Sequence, residues 1–133
     1  RARIVTGGKR INSDGYYIEP TVFVDTDDEM KIVKEEIFGP VVAAMPFSEV
    51  SEDLVRRAND TSFGLAGGIW TQDISKAHRL AAKLKAGIVW INTYAIFDAA
   101  LPFGGYKESG WGRELGAAVL EHYTEMKAVA CRL

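Results

Sequence analysis

Two stretches of this chain gather residue types that can do chemistry. In Lys34-Glu35-Glu36-Ile37-Phe38-Gly39-Pro40-Val41 a pair of carboxylates stands beside an aromatic ring, and the Gly39-Pro40 break follows at once. A solvated helix end accounts for Glu35, but it leaves open why Phe38 should occupy a tip just before a turn. In the second stretch, 93–112, the segment from Pro102 to Gly112 alone carries three aromatics and four glycines. A loop of that length without regular structure is usually functional or disordered, and this composition reads as ordered and functional.

Other arrangements fail on spacing or context. Gly105 to Gly110 has the spacing that opens a phosphate loop, but Trp111 and Gly112 stand where Lys and Ser or Thr are required. Gly110, Gly112 and Gly116 miss the dinucleotide fingerprint by one residue, and no strand directly precedes them. His78 and His122 fall on separate helices with no second ligand type near either, so they read as surface or core histidines and no metal site is expected. Asn59-Asp60-Thr61 matches a glycosylation acceptor by chance, since nothing else indicates secretion. Cys131 has no local His or helix N-terminus to lower its pKa, and reads as structural.

Composition bounds what remains. The chain has 133 residues, 47% of them hydrophobic, as expected of about one globular domain. Its 16 Lys and Arg against 18 Asp and Glu form no long block of one sign, so neither nucleic acid nor an anionic membrane is an expected partner. One cysteine allows no internal disulfide, which fits a reducing compartment. No apolar run reaches the roughly 20 residues of a membrane span, and Arg1 opens without a signal-peptide pattern. The expected location is the cytoplasm, and the start reads as cut from a longer chain.

The elements that must position the two stretches alternate. "YYIEPTVFVD" (16–25) reads as a strand, with Pro20 placing part of it at an edge, and a short helix follows. "PVVAAMPF" (40–47), "LAGGIWT" (65–71) and "GIVWIN" (87–92) are continuously apolar, as strands covered on both faces are. Between them the spacing predicts helices over 51–59, capped by Ser51, and over 73–86, stopped by Gly87. Crossover helices of this length join parallel neighbours. The expected fold is therefore α/β, a three-layer architecture with a mostly parallel sheet and crossover helices. A helical stripe over 113–126 and a terminal strand, "KAVACRL" (127–133), that leaves the domain complete it.

"LPFGGYKESGWGRELG" (101–116) resembles the C-terminal signature of the aldehyde dehydrogenase superfamily. "KEEIFGPV", "FGLAGGIWT" (63–71), "GIVWIN" and "YTEMKAV" (123–129) are similar to that family too, in the same order and with similar spacing, so the resemblance covers nearly the whole chain. It implies that 1–128 form the C-terminal part of the family's catalytic domain and that 129–133 begin the strand leading to its oligomerisation region.

The resemblance also assigns roles. Glu36 matches the glutamate that hydrogen-bonds the ribose next to the nicotinamide, and Phe38 the phenylalanine that packs by the ring; the alternative is a solvated helix glutamate and a core phenylalanine. An acceptor-only carboxylate suits two ribose hydroxyls, and a flat apolar face suits a ring that must be held still. Phe97 and Phe103 match the aromatic lining of the substrate tunnel, or are plain core. The sequence around them is closest to members acting on phenylacetaldehyde-like or other hydrophobic aldehydes. Glu114 matches a position that relays protons toward the catalytic water, or is an acid favoured at a helix N-terminus. Glu125 matches an interface position that pairs with arginines, with Arg113 as a candidate partner within the chain, in an expected homo-oligomer; the alternative is a surface glutamate near a helix C-terminus.

The implied reaction is oxidation of a small-molecule aldehyde to a carboxylic acid with NAD or NADP. In the family the nucleophilic cysteine, the glutamate that activates water and the main cofactor domain lie upstream of the matched segment. The implied function is thus that of a C-terminal piece of the enzyme, inactive alone; the alternative is a non-catalytic, self-associating α/β module.

Overall fold

In a computed structural model that describes residues 1–11 and 14–133, contacts divide the chain into two units, Arg1–Ser62 and Phe63–Leu133. The first unit holds β1 (Arg3–Thr6), β2 (Thr21–Val24), α1 (Lys31–Lys34), β3 (Val41–Ala43) and α2 (Glu52–Ala58). β2 is central: β1 runs antiparallel to it and β3 parallel, with Thr21 opposite Val41 and Phe23 opposite Ala43. Parallel strands cannot be joined by a tight hairpin, and α1 lies in the connection that carries the chain from β2 back to the start of β3. Gly7, at φ +76, lets the chain leave β1 beneath Pro20, whose carbonyl leaves no room for a Cβ at that position. Thr21 is buried there; its Oγ1 accepts the Gly8 N–H at 2.8 Å and donates to the Glu19 carbonyl at 2.7 Å.

Charged pairs tie α2 to the segment around α1. Arg57 Nε donates to both oxygens of Asp28, at 3.1 and 2.8 Å, and Lys34 Nζ donates to Asp60 at 2.6 Å. Ser51 caps α2, its Oγ accepting the Leu54 N–H at 3.2 Å, as its place before Glu52 and Asp53 predicts. The hydrogen bond from Arg57 holds the Asp28 carboxyl below the usual carboxylate range, and that from Lys34 does the same for Asp60. Groups with a depressed folded pKa add stability that is complete above the unfolded pKa and is lost as pH falls through the folded one. Amide exchange of α2 is therefore expected to accelerate as pH falls below about 4, after correction for intrinsic rates. Asp28→Asn with Asp60→Asn should flatten that acid limb, and an unflattened limb would refute the assignment.

The second unit holds β4 (Phe63–Gly64), β5 (Ala66–Ile69), α3 (Ile74–Lys83), β6 (Ile88–Ile91), β7 (Tyr106–Lys107), a 3-10 turn (Ala117–Val119) and α4 (Leu120–Tyr123). β5 and β6 pair in parallel, from Ala66 opposite Ile88 to Ile69 opposite Ile91, with α3 as the expected crossover. Asp73 caps α3 by accepting the Lys76 N–H at 2.8 Å. Ile69, Ala77 and Trp90, one from each element of this β-α-β piece, are the buried apolar side chains among the described residues. β4 and β7 form a separate antiparallel pair.

Several expectations need correction. The strands make mixed and antiparallel sheets as well as a parallel one: β1 and β7 add antiparallel partners to β2 and β4, and both come from short segments that no long apolar run announces. Leu84, in an extended conformation, ends α3 before Gly87 is reached. The helix over 113–126 shrinks to 117–123: Glu114 is paired as a strand with Phe103, and Leu115 and Gly116 take left-handed conformations at φ 59 and 57, which no α-helix accommodates. Residues 124–133 are exposed and carry no regular structure, so the terminal strand does not form here; a strand needs an edge to satisfy its backbone. No helix among the described residues is long and apolar enough to cross a membrane.

Candidate functional site

The tip that carries Glu36 and Phe38 is built by the end of α1. Glu35 donates its N–H to the Lys31 carbonyl at 2.9 Å and turns extended, at φ -102 and ψ 149, which stops the helix. Two tight turns follow, Gly39 N–H to the Ile37 carbonyl and Val41 N–H to the Gly39 carbonyl, both at 2.8 Å. The Pro40 carbonyl accepts the Thr21 N–H at 2.8 Å and fastens the tip to β2. The result turns Phe38 outward, 95% exposed, with Glu36 exposed beside it.

The two acids of the tip differ. Glu35 forms a helical pair with Lys31 at 3.5 Å, whereas Glu36 makes no ion pair among the described residues. Beneath the tip lies a cavity of about 310 Å³ lined by residues that include Ile32, Val33, Ile37, Val41 and Met45. An outward ring, a free carboxylate and fixed backbone form a platform for a ligand with hydroxyl donors and a planar face.

In the second unit the structure brings Phe97 and Phe103 together, edge to face, with centroids 5.0 Å apart at 88°. Trp90 meets Phe97 at 5.7 Å and 88°, and Tyr94 at 5.0 Å and 59°. Aromatic pairs of this geometry contribute about 0.5 to 1.5 kcal/mol each beyond area burial. Trp90 and Tyr94 were missing from the candidate residues, although the run of rings at 90, 94 and 97 was there to be read.

Glu114 sits across from this cluster's base. Its backbone exchanges two hydrogen bonds of 2.7 Å with Phe103, while its side chain is exposed and lines a cavity of about 430 Å³ with Ser109, Arg113, His122 and Tyr123. Among the described residues Arg113 makes no ion pair with Glu125. Its Nη1 donates to the carbonyls of Gly105, Trp111 and Gly112 at 2.8 to 3.1 Å, and its guanidinium lies 5.5 Å from the Tyr106 ring centre. The fork is thereby engaged in holding its own loop, and Glu125 lies in the exposed stretch 124–133. Among the described residues no group of three or more His, Cys, Asp or Glu is placed to hold a metal ion.

Residues 1–129 match the model of the aldehyde dehydrogenase family. The betaine aldehyde dehydrogenase of Sinorhizobium fredii is 52% identical over 131 residues, covering 96% of this chain and 27% of the relative. The mitochondrial benzaldehyde dehydrogenase of Antirrhinum majus is 52% identical over 132 residues, covering 99% of this chain and 24% of the relative. Among solved structures, the NAD+ complex of an aldehyde dehydrogenase from Bacillus cereus superposes with a TM-score of 0.91 at 56% identity, covering 96% of this chain and 26% of that one. The chain thus spans about a quarter of the length of the proteins it matches.

Proposed function

The chain belongs to the aldehyde dehydrogenase family, and we propose that it works as the C-terminal part of a longer enzyme that oxidises an aldehyde to a carboxylic acid with NAD or NADP. In this reading 1–128 complete a three-layer catalytic domain, and 129–133 start the strand toward the oligomerisation region. The observation that carries the cofactor role is the tip itself, where Phe38 is 95% exposed on backbone fixed by three hydrogen bonds, with Glu36 at its side.

Glu36 would hold the ribose hydroxyls and Phe38 the nicotinamide ring; the fit rests on a carboxylate without an ion pair among the described residues and an uncovered aromatic ring, two residues apart on one exposed tip. The cofactor supplies the acceptor for a hydride. Phe97 and Phe103 wall the substrate pocket, holding an apolar aldehyde side chain, and Glu114 takes part in proton movement from its exposed position beside the larger cavity. Relatives named for betaine aldehyde and for benzaldehyde are equally identical to this chain, so overall identity does not select a substrate. The four-ring cluster is what supports a hydrophobic aldehyde.

The test is cofactor reduction by the full-length enzyme with NAD+ and with NADP+ across betaine aldehyde, benzaldehyde, phenylacetaldehyde and short aliphatic aldehydes. Failure with every pair would overturn the activity, and faster turnover of betaine aldehyde than of the aromatic aldehydes would overturn the substrate class.

Glu125 and Arg113 are proposed to lie at the interface of a homo-oligomer, with Arg113 as a candidate partner for Glu125. A buried interfacial charge that loses its partner costs about 3 to 5 kcal/mol. Glu125→Lys in the full-length enzyme is therefore expected to lower the melting temperature or dissociate the oligomer. An unchanged melting curve together with an unchanged mass by light scattering would remove Glu125 from the interface.

A further inference from the structure

Where β6 ends, residues 92–97 must reverse the chain so that Phe97 meets Phe103. Two side chains fasten that reversal. Trp90 is 8% exposed, and its indole Nε1–H donates to the Ile96 carbonyl at 2.8 Å while its ring bears on Tyr94 and Phe97. Asn92 stands in a left-handed conformation at φ 54; its Oδ1 accepts the Thr71 N–H at 2.8 Å and its Nδ2 donates to the Thr71 carbonyl at 2.9 Å. Ala95 is left-handed as well, at φ 55, a conformation a residue other than glycine keeps only when its surroundings impose it. The Trp90 bond to Ile96 closes directly over that residue.

Phe97 itself is 53% exposed, so burial does not fix its ring. What orients it is the pair of edge contacts, with Phe103 on one side and Trp90 on the other. Losing the indole N–H would let 93–96 relax away from the strained Ala95 conformation and carry Phe97 with it.

We propose that Trp90 is a positioning residue for the substrate pocket, with Asn92 as the second anchor of the same turn: by holding Phe97 edge-on to Phe103, Trp90 sets the preference for aromatic over short aliphatic aldehydes. This rests on the reading of Phe97 and Phe103 as pocket walls. An aromatic substrate depends on the placement of those rings, whereas a short aliphatic one has too little surface to sense it.

The experiment compares kcat/KM for phenylacetaldehyde and propanal in the full-length enzyme. Trp90→Phe keeps a ring and removes the donor, and should lower the aromatic-to-aliphatic ratio about fivefold, through KM rather than kcat and with cofactor affinity unchanged. Phe97→Ala should lower the ratio about twentyfold, and Trp90→Phe should add nothing on that background, because its effect passes through Phe97. An unchanged ratio in Trp90→Phe while Phe97→Ala lowers it, or an equal drop in both backgrounds, overturns the role of Trp90. A ratio that Phe97→Ala leaves unchanged overturns the pocket reading and the proposal with it. Should Trp90→Phe fail to fold, Asn92→Asp, which keeps the Oδ1 acceptor and loses the donor to Thr71, is judged by the same two comparisons.

Discussion

The 133-residue chain produced alone is expected to leave NAD+ unreduced whatever aldehyde is offered. Covalent oxidation of an aldehyde needs a thiolate nucleophile with a neighbouring group to activate it. The only cysteine, Cys131, is exposed, belongs to no helix and lies in the stretch 124–133 without regular structure. Nothing in that setting fixes a thiol against a carbonyl.

The packing points the same way. Buried apolar side chains among the described residues are confined to Ile69, Ala77 and Trp90, while Phe38, Trp111, Tyr123, Met126 and Val129 are almost fully exposed. Apolar surface on that scale favours association over a monomer. The isolated chain should therefore bind a hydrophobic dye and run as oligomer or aggregate in light scattering. Absorbance of the reduced nicotinamide reports activity directly, and turnover that Cys131→Ser abolishes would overturn the account.

What the sequence made legible was local. Ser51 and Asp73 announced their helices because a capping bond spans only three residues, and both side chains make it. β5, α3 and β6 followed from two apolar runs around an amphipathic stripe. What it hid depends on distant partners. β1 and β7 exist because β2 and β4 lie beside them, and neither segment carries a periodic pattern of its own. The 113–126 stripe looked helical by spacing, yet the Phe103 pairing to Glu114 and the left-handed Leu115 and Gly116 overrode it. The site divided likewise. Glu36 and Phe38 share one turn of chain and were visible as a unit, whereas the commitment of Arg113 to three carbonyls of its own loop appears only once the loop is folded.

Glu36→Gln in the full-length enzyme is expected to slow the hydride step, as followed in a single turnover, by roughly 10- to 150-fold. The estimate follows from two ribose hydroxyls each donating to the carboxylate: a hydrogen bond to a charged acceptor is worth about 1.5 to 3 kcal/mol, roughly twice a neutral one, so removing the charge and keeping the size loses about half of each bond. Glu35 provides the control, since it stands one residue earlier, caps α1 and faces Lys31 at 3.5 Å. Exposed pairs of this kind contribute little, so Glu35→Gln should alter neither rate nor affinity appreciably.

The loss at Glu36 can fall on cofactor affinity or on placement of the ring during transfer. Binding measured at equilibrium and the single-turnover rate separate the two. The rate should suffer more if, as proposed, Glu36 meets the cofactor only from this short tip, fixed through Thr21 and Pro40, and the longer enzyme supplies the main cofactor contacts. Phe38→Ala should show the same bias toward rate, since an exposed ring can orient a planar group only by lying against it. Equal rates and equal cofactor affinity for wild type, Glu35→Gln and Glu36→Gln would return Glu36 to a solvated position at the end of a helix.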